Sequence, residues 1–412
     1  MLRFLTAGES HGPELVVVVE GLPAGVPVSL ELLDRDLGRR QAGYGRGARS
    51  TKIERDRALV VSGLAEGRTT GAPVAVRVVN RDFANQPANP APLTAPRPGH
   101  ADLPGRLKYG HEDFRVVRER ASARETAART VAGSLARQLL SPFGVWVGSF
   151  VVEVGDVAAR DPRVAAPDLL DEAALRELAE AAEADPLRCP DPEASARMRE
   201  AVDRAKEAGE TLGGVFWVVA TGVPPGLGSY VQWDRKLDGR LAQAVGSIHA
   251  VKGVEVGRAF ELARLPGSRA QDEVVWRDGR LARSSNHAGG LEGGVTNGQP
   301  VLVRAAMKPL SSVRVPVATV DFTTGQAVAP PYVRTDVCSV PAAAVVGEAM
   351  VAWVLAEALV ERFGGDRLDL MLAAAREAER TALPAGLQPP QRASQAGGGP
   401  LPERRTSGEG GP

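Results

Sequence analysis

Cysteine is nearly missing from this chain: its 412 residues include two, Cys189 and Cys338. Two thiols cannot form a disulfide framework, and neither lies in a CxxC pair or beside histidines at metal-ligand spacing. No metal site is expected, and a reducing, cytoplasmic setting fits best. Aromatic residues amount to 4% of the sequence, which leaves few stacking platforms for a nucleic-acid binder. Charge of one sign is not in excess either: Lys plus Arg equals Asp plus Glu, so the chain is not a cationic coat for RNA or DNA. Long apolar runs are also missing. None approaches the roughly 18 residues of a membrane span, and the N-terminal MLRFLTAGESHG is too polar after Leu5 for a signal peptide. What remains is a soluble globular composition, 43% hydrophobic and 24% charged, long enough for two domains or one large one.

The basic residues are concentrated locally. Between Arg97 and Gly133 the chain gathers His100, Arg106, Lys108, His111, Arg115, Arg118, Arg120 and Arg124 before an alanine-rich segment with helical spacing. A cationic loop entering a helix offers guanidinium forks and free N–H groups to one anion, although a solvated basic helix face has the same composition. A second arginine loop carries Arg39, Arg40, Arg46 and Arg49 among glycines. Its Gly43-Tyr44-Gly45-Arg46-Gly47 spacing invites a dinucleotide reading, but no apolar strand feeds the loop and no apolar helix leaves it. The partner these loops imply is small and anionic. Gly8-Glu9-Ser10-His11-Gly12 is a further polar loop that presents one imidazole.

Coarse structure follows from pattern. Leu15–Val19 and Val26–Val28, around a Gly/Pro turn, read as a β-hairpin; Ala58–Ser62, Pro73–Val79 and Val145–Val154 read as strands. Helices are expected after Ser122 to about Leu140, from Asp234, and from about Pro341 to Arg362, with continuation to about Thr381. Residues 160–208 are acidic and alanine-rich, with two amphipathic patterns on either side of Asp185–Pro190, and read as a helical insertion. From about Leu383 the Gly/Pro/Ser/Gln-rich end is expected to be disordered.

The sequence also repeats itself. Gly209-Glu210-Thr211-Leu212-Gly213 and the apolar run and Gly/Pro turn after it echo residues 8–25 at a constant offset, and residues 294–304 match 67–77 at the marker positions. Two ordered matches suggest duplicated halves of about 1–150 and 209–365 within one domain of residues 1–382. Function belongs where the halves differ. His11 has Leu212 as its counterpart, and the second half adds Ser/Gly/Asn-rich loops around His249, His287, Lys308 and Asp336.

Taken together, GESHG, GRRQAGYGRGARSTKIERD, PRPGHADLPGRLKYGHEDFRVVRERASARETAAR, SIHAVKGVEVG, NHAGGLEGGVTNG and RTDVC resemble the chorismate synthase family, in order from Met1 to about Arg362. The resemblance implies an α+β fold, a β-α-β sandwich of pseudo-duplicated antiparallel sheets and helices, assembled as a homotetramer. It implies conversion of 5-enolpyruvylshikimate 3-phosphate to chorismate and phosphate by anti 1,4-elimination with reduced FMN. NADPH as the source of reduction is left open. Catalytic roles carry over to His11, His111 and Asp336, although a helix-capping role competes for Asp336. Flavin contacts carry over to Arg120, Ala121, Ser122, His249, Ala250, Gly293, Lys308, Pro309, Leu310, Ser311, Ser312 and Arg334. Arg40, Arg46, Arg49 and Arg124 would hold the phosphate and carboxylates of the substrate, which cannot be desolvated without guanidinium partners. Ala121 stands where Ser is frequent, His249 where Asn is common, and RTDVC where RHDPC is common. His100 and His287 are expected to be structural or supporting. The rival readings are a pyridine-nucleotide-dependent flavin reductase, which lacks a dinucleotide fingerprint, and an RNA-binding protein.

Overall fold

The computed structural model describes residues 1–47, 56–87, 90–277, 280–315, 317–330 and 335–382. Two antiparallel sheets dominate. The first contains β1 (Arg3–Gly8), β2 (Glu14–Glu20), β3 (Ala58–Ser62) and β4 (Val74–Val79) in the order β1-β2-β4-β3. The second contains β5 (Trp146–Val154), β6 (Gly214–Thr221), β7 (Val251–Val256) and β8 (Val301–Met307) in the order β5-β6-β8-β7, with Val157–Ala158 on its β5 edge. The same order therefore occurs twice. The turns agree as well. Thr69 exchanges backbone bonds with Gly25 and Val26 and its hydroxyl donates to Pro23 O; Thr296 does the same with Gly226, Leu227 and Pro224 O.

Helices pack between the sheets and on the outer face of the second. The main ones are α1 (Leu30–Gln41), α2 (Asp102–Tyr109), α3 (Phe114–Arg120), α4 (Thr126–Leu140), α5 (Glu172–Ala184), α6 (Pro192–Ala208), α7 (Leu237–Gly246), α8 (Val340–Phe363) and α9 (Leu368–Thr381). α4 lies on the first sheet, α8 on the second, and the two pack on each other. Their small residues allow this: a Cβ on Gly133 would sit 2.3 Å from the Ala349 Cα, so only glycine fits at the crossing. α8 is apolar nearly all round because it is surrounded by protein. By length and composition it does qualify as a membrane-span candidate, contrary to the expectation from sequence, but 94% of its apolar window is buried in the core.

Four local expectations need correction or sharpening. Leu15–Val19 does not pair with Val26–Val28; β2 lies between β1 and β4. Pro27 withholds an N–H donor from that second segment, which bonds to the 67–69 turn instead. The final helix is interrupted at Gly364, whose φ is +85°, and restarts as α9. Helical structure in 97–133 is broken into α2, α3 and α4. The insertion is helical, and Asp161, Asp171 and Asp191 each cap a helix through a backbone N–H. The tail beyond Ala382 lies outside the described residues.

One charge stands at the centre of this packing. Glu348 of α8 is fully buried and meets Arg39 of α1 at 2.8 Å, Arg137 of α4 at 2.7 Å, Arg188 of the insertion at 3.0 Å and the Ser149 hydroxyl of β5 at 2.6 Å. Burial alone would raise its pKa, but the three guanidiniums overcome that and hold it at about 2. Glu348→Gln removes the one carboxylate that Arg39, Arg137 and Arg188 share, leaving them only Asp36 and Glu183, and is expected to cost about 3–5 kcal/mol in urea melts at neutral pH. The carboxylate's contribution is full above its ordinary value of 4.5 and is lost as pH falls toward about 2. The stability gap between wild type and variant should therefore close in acid.

Candidate active site

The Gly8–Gly12 loop follows β1 and is fastened to the end of α3. Ser10 N donates to Glu119 O, and Glu119 accepts from His11 N and from His11 Nδ1, both at 2.7 Å. Burial works against charge on Glu119, but the bonds and charge of His11 win and its pKa is lowered. An ionised acceptor at Nδ1 puts the proton on that nitrogen and orients the ring. Beside it, Ser122 Oγ bonds Ser10 Oγ at 3.0 Å, with Ala121 one residue away. Arg120 donates to Thr6 O and Thr6 Oγ1 at 2.8 Å and to Gly8 O at 3.2 Å.

The arginines continue inward. Arg40 donates from Nε to Thr126 Oγ1 at 2.8 Å and from Nη2 to Ala123 O at 2.9 Å. Arg124 forms a two-bond pair with Asp56, and both side chains are almost fully buried. Arg46 closes the chain of contacts: its Nη1 lies 2.5 Å from Asp336 Oδ2, and the other Asp336 oxygen accepts from Gly47 N at 2.7 Å. Ser339 Oγ also donates to Asp336, at 2.8 Å. Asp336 thus turns to the arginine loop and not to the first turn of α8, so the helix-capping alternative is not what the carboxylate does. The Gly43–Gly47 loop follows a helix, α1, which removes the strand that a dinucleotide fingerprint requires.

A second set comes from the other half. Lys308 Nζ donates to Ser311 Oγ at 2.6 Å, Ser311 Oγ donates to Gly99 O at 3.0 Å, and Ser312 Oγ lies 3.4 Å from His100 Nε2. Pro309 and Leu310 lie between them in the same loop, and Lys308 N donates to Ala250 O at 2.9 Å. Ala250 has φ +65°, a strained conformation for a residue with a Cβ. Its neighbour His249 lines a cavity of about 460 Å³ together with Phe4, Leu5, Thr6, Arg120, Glu125, Arg129, Ser247 and Met350. Burial, aided by Arg129, Arg40 and Arg120 against Glu125, lowers the His249 pKa, and its buried Nδ1 has no hydrogen-bond partner among the described residues.

Not every expected residue gathers here. His111 stands on the turn between α2 and α3, part-exposed, with its ring stacked on Tyr109 at 6.2 Å between centroids. Gly293 forms the turn of the Leu291–Thr296 hairpin, which is bonded to 226–227 and to Leu237 of α7. His287 is bound to the buried Asp168 of the insertion at 2.9 Å. Arg49 and Arg334 lie outside the described residues. Sequence reasoning missed Glu119, Asp56, Glu125 and Ser339. The acidic residues stand inside the quoted basic motifs, so the available signal was a carboxylate among arginines.

A family model described as chorismate synthase matches residues 2–360. A chorismate synthase of Symbiobacterium thermophilum is 54% identical over 384 residues, spanning 89% of this chain and 96% of the relative. One of Rubrobacter xylanophilus is 55% identical over 375 residues, spanning 89% and 93%. A solved crystal structure of chorismate synthase superposes with a TM-score of 0.75 at 43% identity, covering 91% of this chain and 96% of that one.

The site also carries a pH signature. Burial first, then Arg97, pushes the His100 imidazole down to about 4 from 6.5, against Asp102 and the Pro98 carbonyl and with some help from Lys308. Between those two values the unfolded chain binds a proton that the folded chain refuses, so stability falls as pH drops through this window. His100→Gln is expected to flatten that part of the stability–pH curve in urea melts. An unchanged curve would show that His100 does not titrate this way.

Proposed function

Because the chain belongs to the chorismate synthase family, we propose a division of that family's reaction among the residues of its site. Members are carbon–oxygen lyases of the shikimate pathway that convert 5-enolpyruvylshikimate 3-phosphate to chorismate and phosphate. In the anti 1,4-elimination a C6–H bond and a C–O bond to phosphate break: the C–H pair forms one new ring double bond, the existing ring double bond shifts toward the leaving group, and the C–O pair departs with phosphate. The family uses reduced FMN. The donor set suits such a group: Lys308, Ser311 and Ser312 offer an ammonium and two hydroxyls to a phosphate monoester, and His249 has an unpartnered buried nitrogen beside Arg120 and the cavity. We assign its ring side to Arg120, Ala121, Ser122, His249 and Ala250 and its phosphate side to Lys308–Ser312. Arg334 and Gly293 are assigned on resemblance alone. The chemistry such a group would supply there, when bound, is a reversible loan of electron density to the allylic system, with no net redox change.

The chain's own residues hold charge and move protons. Arg40, Arg46 and Arg124, with Arg49 by resemblance, receive the substrate's anionic groups, which are desolvated only against guanidinium. Asp336 is the acceptor for the C6 proton, its oxygens fixed by Arg46, Gly47 N and Ser339. His111 donates to the departing phosphate, and His11, oriented by Glu119, exchanges a proton with the cofactor. The observation that carries this reading is the Arg46–Asp336 contact, which joins the first-half arginine loop to the second-half acid.

The identical strand orders and the twin Thr69 and Thr296 turns support an internal duplication within a single domain of 1–382. The sheets differ on their outer faces. α5 covers the second, whereas Leu5, Val18, Leu59, Val61 and Val79 leave the first apolar and exposed, with Arg3–Glu20 and Arg77–Glu14 pairs nearby. A valine-rich strand apolar on both faces is normally covered on both. A second copy of the chain is the proposed cover, as one interface of a homotetramer, and a cytoplasmic location fits this biosynthetic role.

Anaerobic incubation with chemically reduced FMN and 5-enolpyruvylshikimate 3-phosphate should release chorismate and phosphate in equal amounts. His111→Ala and Asp336→Ala are each expected to lower turnover about 10²-fold or more, and His287→Ala far less. Absence of product with flavin bound, or His287 proving the most sensitive histidine, would overturn these assignments. Leu59→Glu with Val61→Glu is expected to dissociate the tetramer in light scattering; an unchanged mass would place the interface elsewhere.

A further inference from the structure

Arg106 lies in the last turn of α2, five residues before His111. Its guanidinium carbon is 5.2 Å from the centroid of the Phe114 ring and 5.1 Å from that of Phe322. Those rings meet edge to face, 5.2 Å apart at 84°. Phe114 belongs to the first half and is fully buried; Phe322 comes from the second half and is 44% exposed. Arg106 Nη1 also donates to the carbonyl of Glu112, the residue after His111.

The turn that carries His111 is short and held at both ends. Gly110 takes the left-handed conformation at φ +73° and its N–H returns to Arg106 O at 2.8 Å. Asp113 opens α3 and accepts from Arg115 N and from Leu93 N, both at 2.8 Å. Between these anchors the Glu112 carbonyl would be loose without the Arg106 bond. The ring that closes over Arg106 is itself fixed to the first half: Phe322 N donates to Thr94 O at 2.9 Å, and Thr94 Oγ1 donates to Asp321 at 2.6 Å. A planar guanidinium can pack on aromatic faces while its fork donates in a fixed direction in its own plane; an ammonium lacks that planar fork.

We propose that Arg106 is a positioning residue for His111: packed against an aromatic ring from each half and bonded to the Glu112 carbonyl, it fixes the turn on which the imidazole stands. This rests on the assignment of His111 to the departing phosphate. The chain has five histidines, so selective ¹³C labelling gives few Cε1–H signals, and His111→Gln identifies the one of interest.

Arg106→Lys keeps the charge and removes the planar fork; Phe322→Leu removes one ring without touching α2. Each is expected to shift the His111 signal, leave that of His287 in place, and lower kcat about 10-fold with KM little changed. The double variant should be little worse than either single one, because both break the same packing. An unmoved His111 signal together with wild-type kcat in both single variants would overturn the proposal. Near-normal kcat in His111→Ala would instead overturn the role of His111, and the position of the His111 signal alone would then decide whether Arg106 positions it.

Discussion

The buried carboxylate of Glu348 is the constraint on which the rest of the fold depends. An ion of this kind costs several kcal/mol to take out of water unless it is fully paired, and here the partners come from α1, α4, β5 and the insertion at once. Each of those elements is thereby held to one position relative to α8. The consequence for the site is direct. Arg39 and Arg40 are adjacent on α1, yet Arg39 reaches Glu348 while Arg40 reaches Thr126 and Ala123 at the start of α4. α1 ends into the Arg46 loop, α4 begins beside Ser122 and Arg124, and α8 begins beside Asp336 and Ser339. Three site-bearing helix ends are therefore tied to one internal charge.

Around those ends the electrostatics follow a single plan, with basic groups each held by a carboxylate or a backbone carbonyl. Asp56 holds Arg124, Asp336 holds Arg46, and Glu119 holds His11. Pairing orients the cations and limits the cost of burying them, while the surplus of basic groups still favours an anion. His100 and His249 are different. Burial lowers the pKa of both, so they serve as neutral hydrogen-bonding groups and not as further cations.

Much of this was legible in the sequence because it is local. Alternation and helical spacing placed most strands and helices, though not β1 or β7, two amphipathic patterns marked the insertion, and the repeat suggested two sets of antiparallel strands. What was not legible is non-local or conformational. Nothing in the sequence pairs Glu348 with Arg39, Arg137 and Arg188, because their contacts span hundreds of residues. The positive φ of Ala250 has no composition signal, since alanine gives no warning of it. The supposed hairpin after Leu15 failed because adjacency in sequence was taken for pairing, whereas β2 finds its partners in β1 and β4. The arginine and histidine motifs named the right segments, although Arg39 and Arg40 stand on α1 and not on the loop expected for them, and the carboxylate partners Asp56 and Glu119 emerged only when the chain was folded.

Diffraction from crystals grown anaerobically with reduced FMN and 5-enolpyruvylshikimate 3-phosphate tests most directly whether both halves of the chain build one site. The expected result is a flavin touching Arg120–Ser122 from one half and Lys308–Ser312 from the other, with substrate between Arg46, His111 and Asp336. A flavin or substrate held by residues of one half alone, with Arg46 and Asp336 away from the reacting atoms, would contradict it.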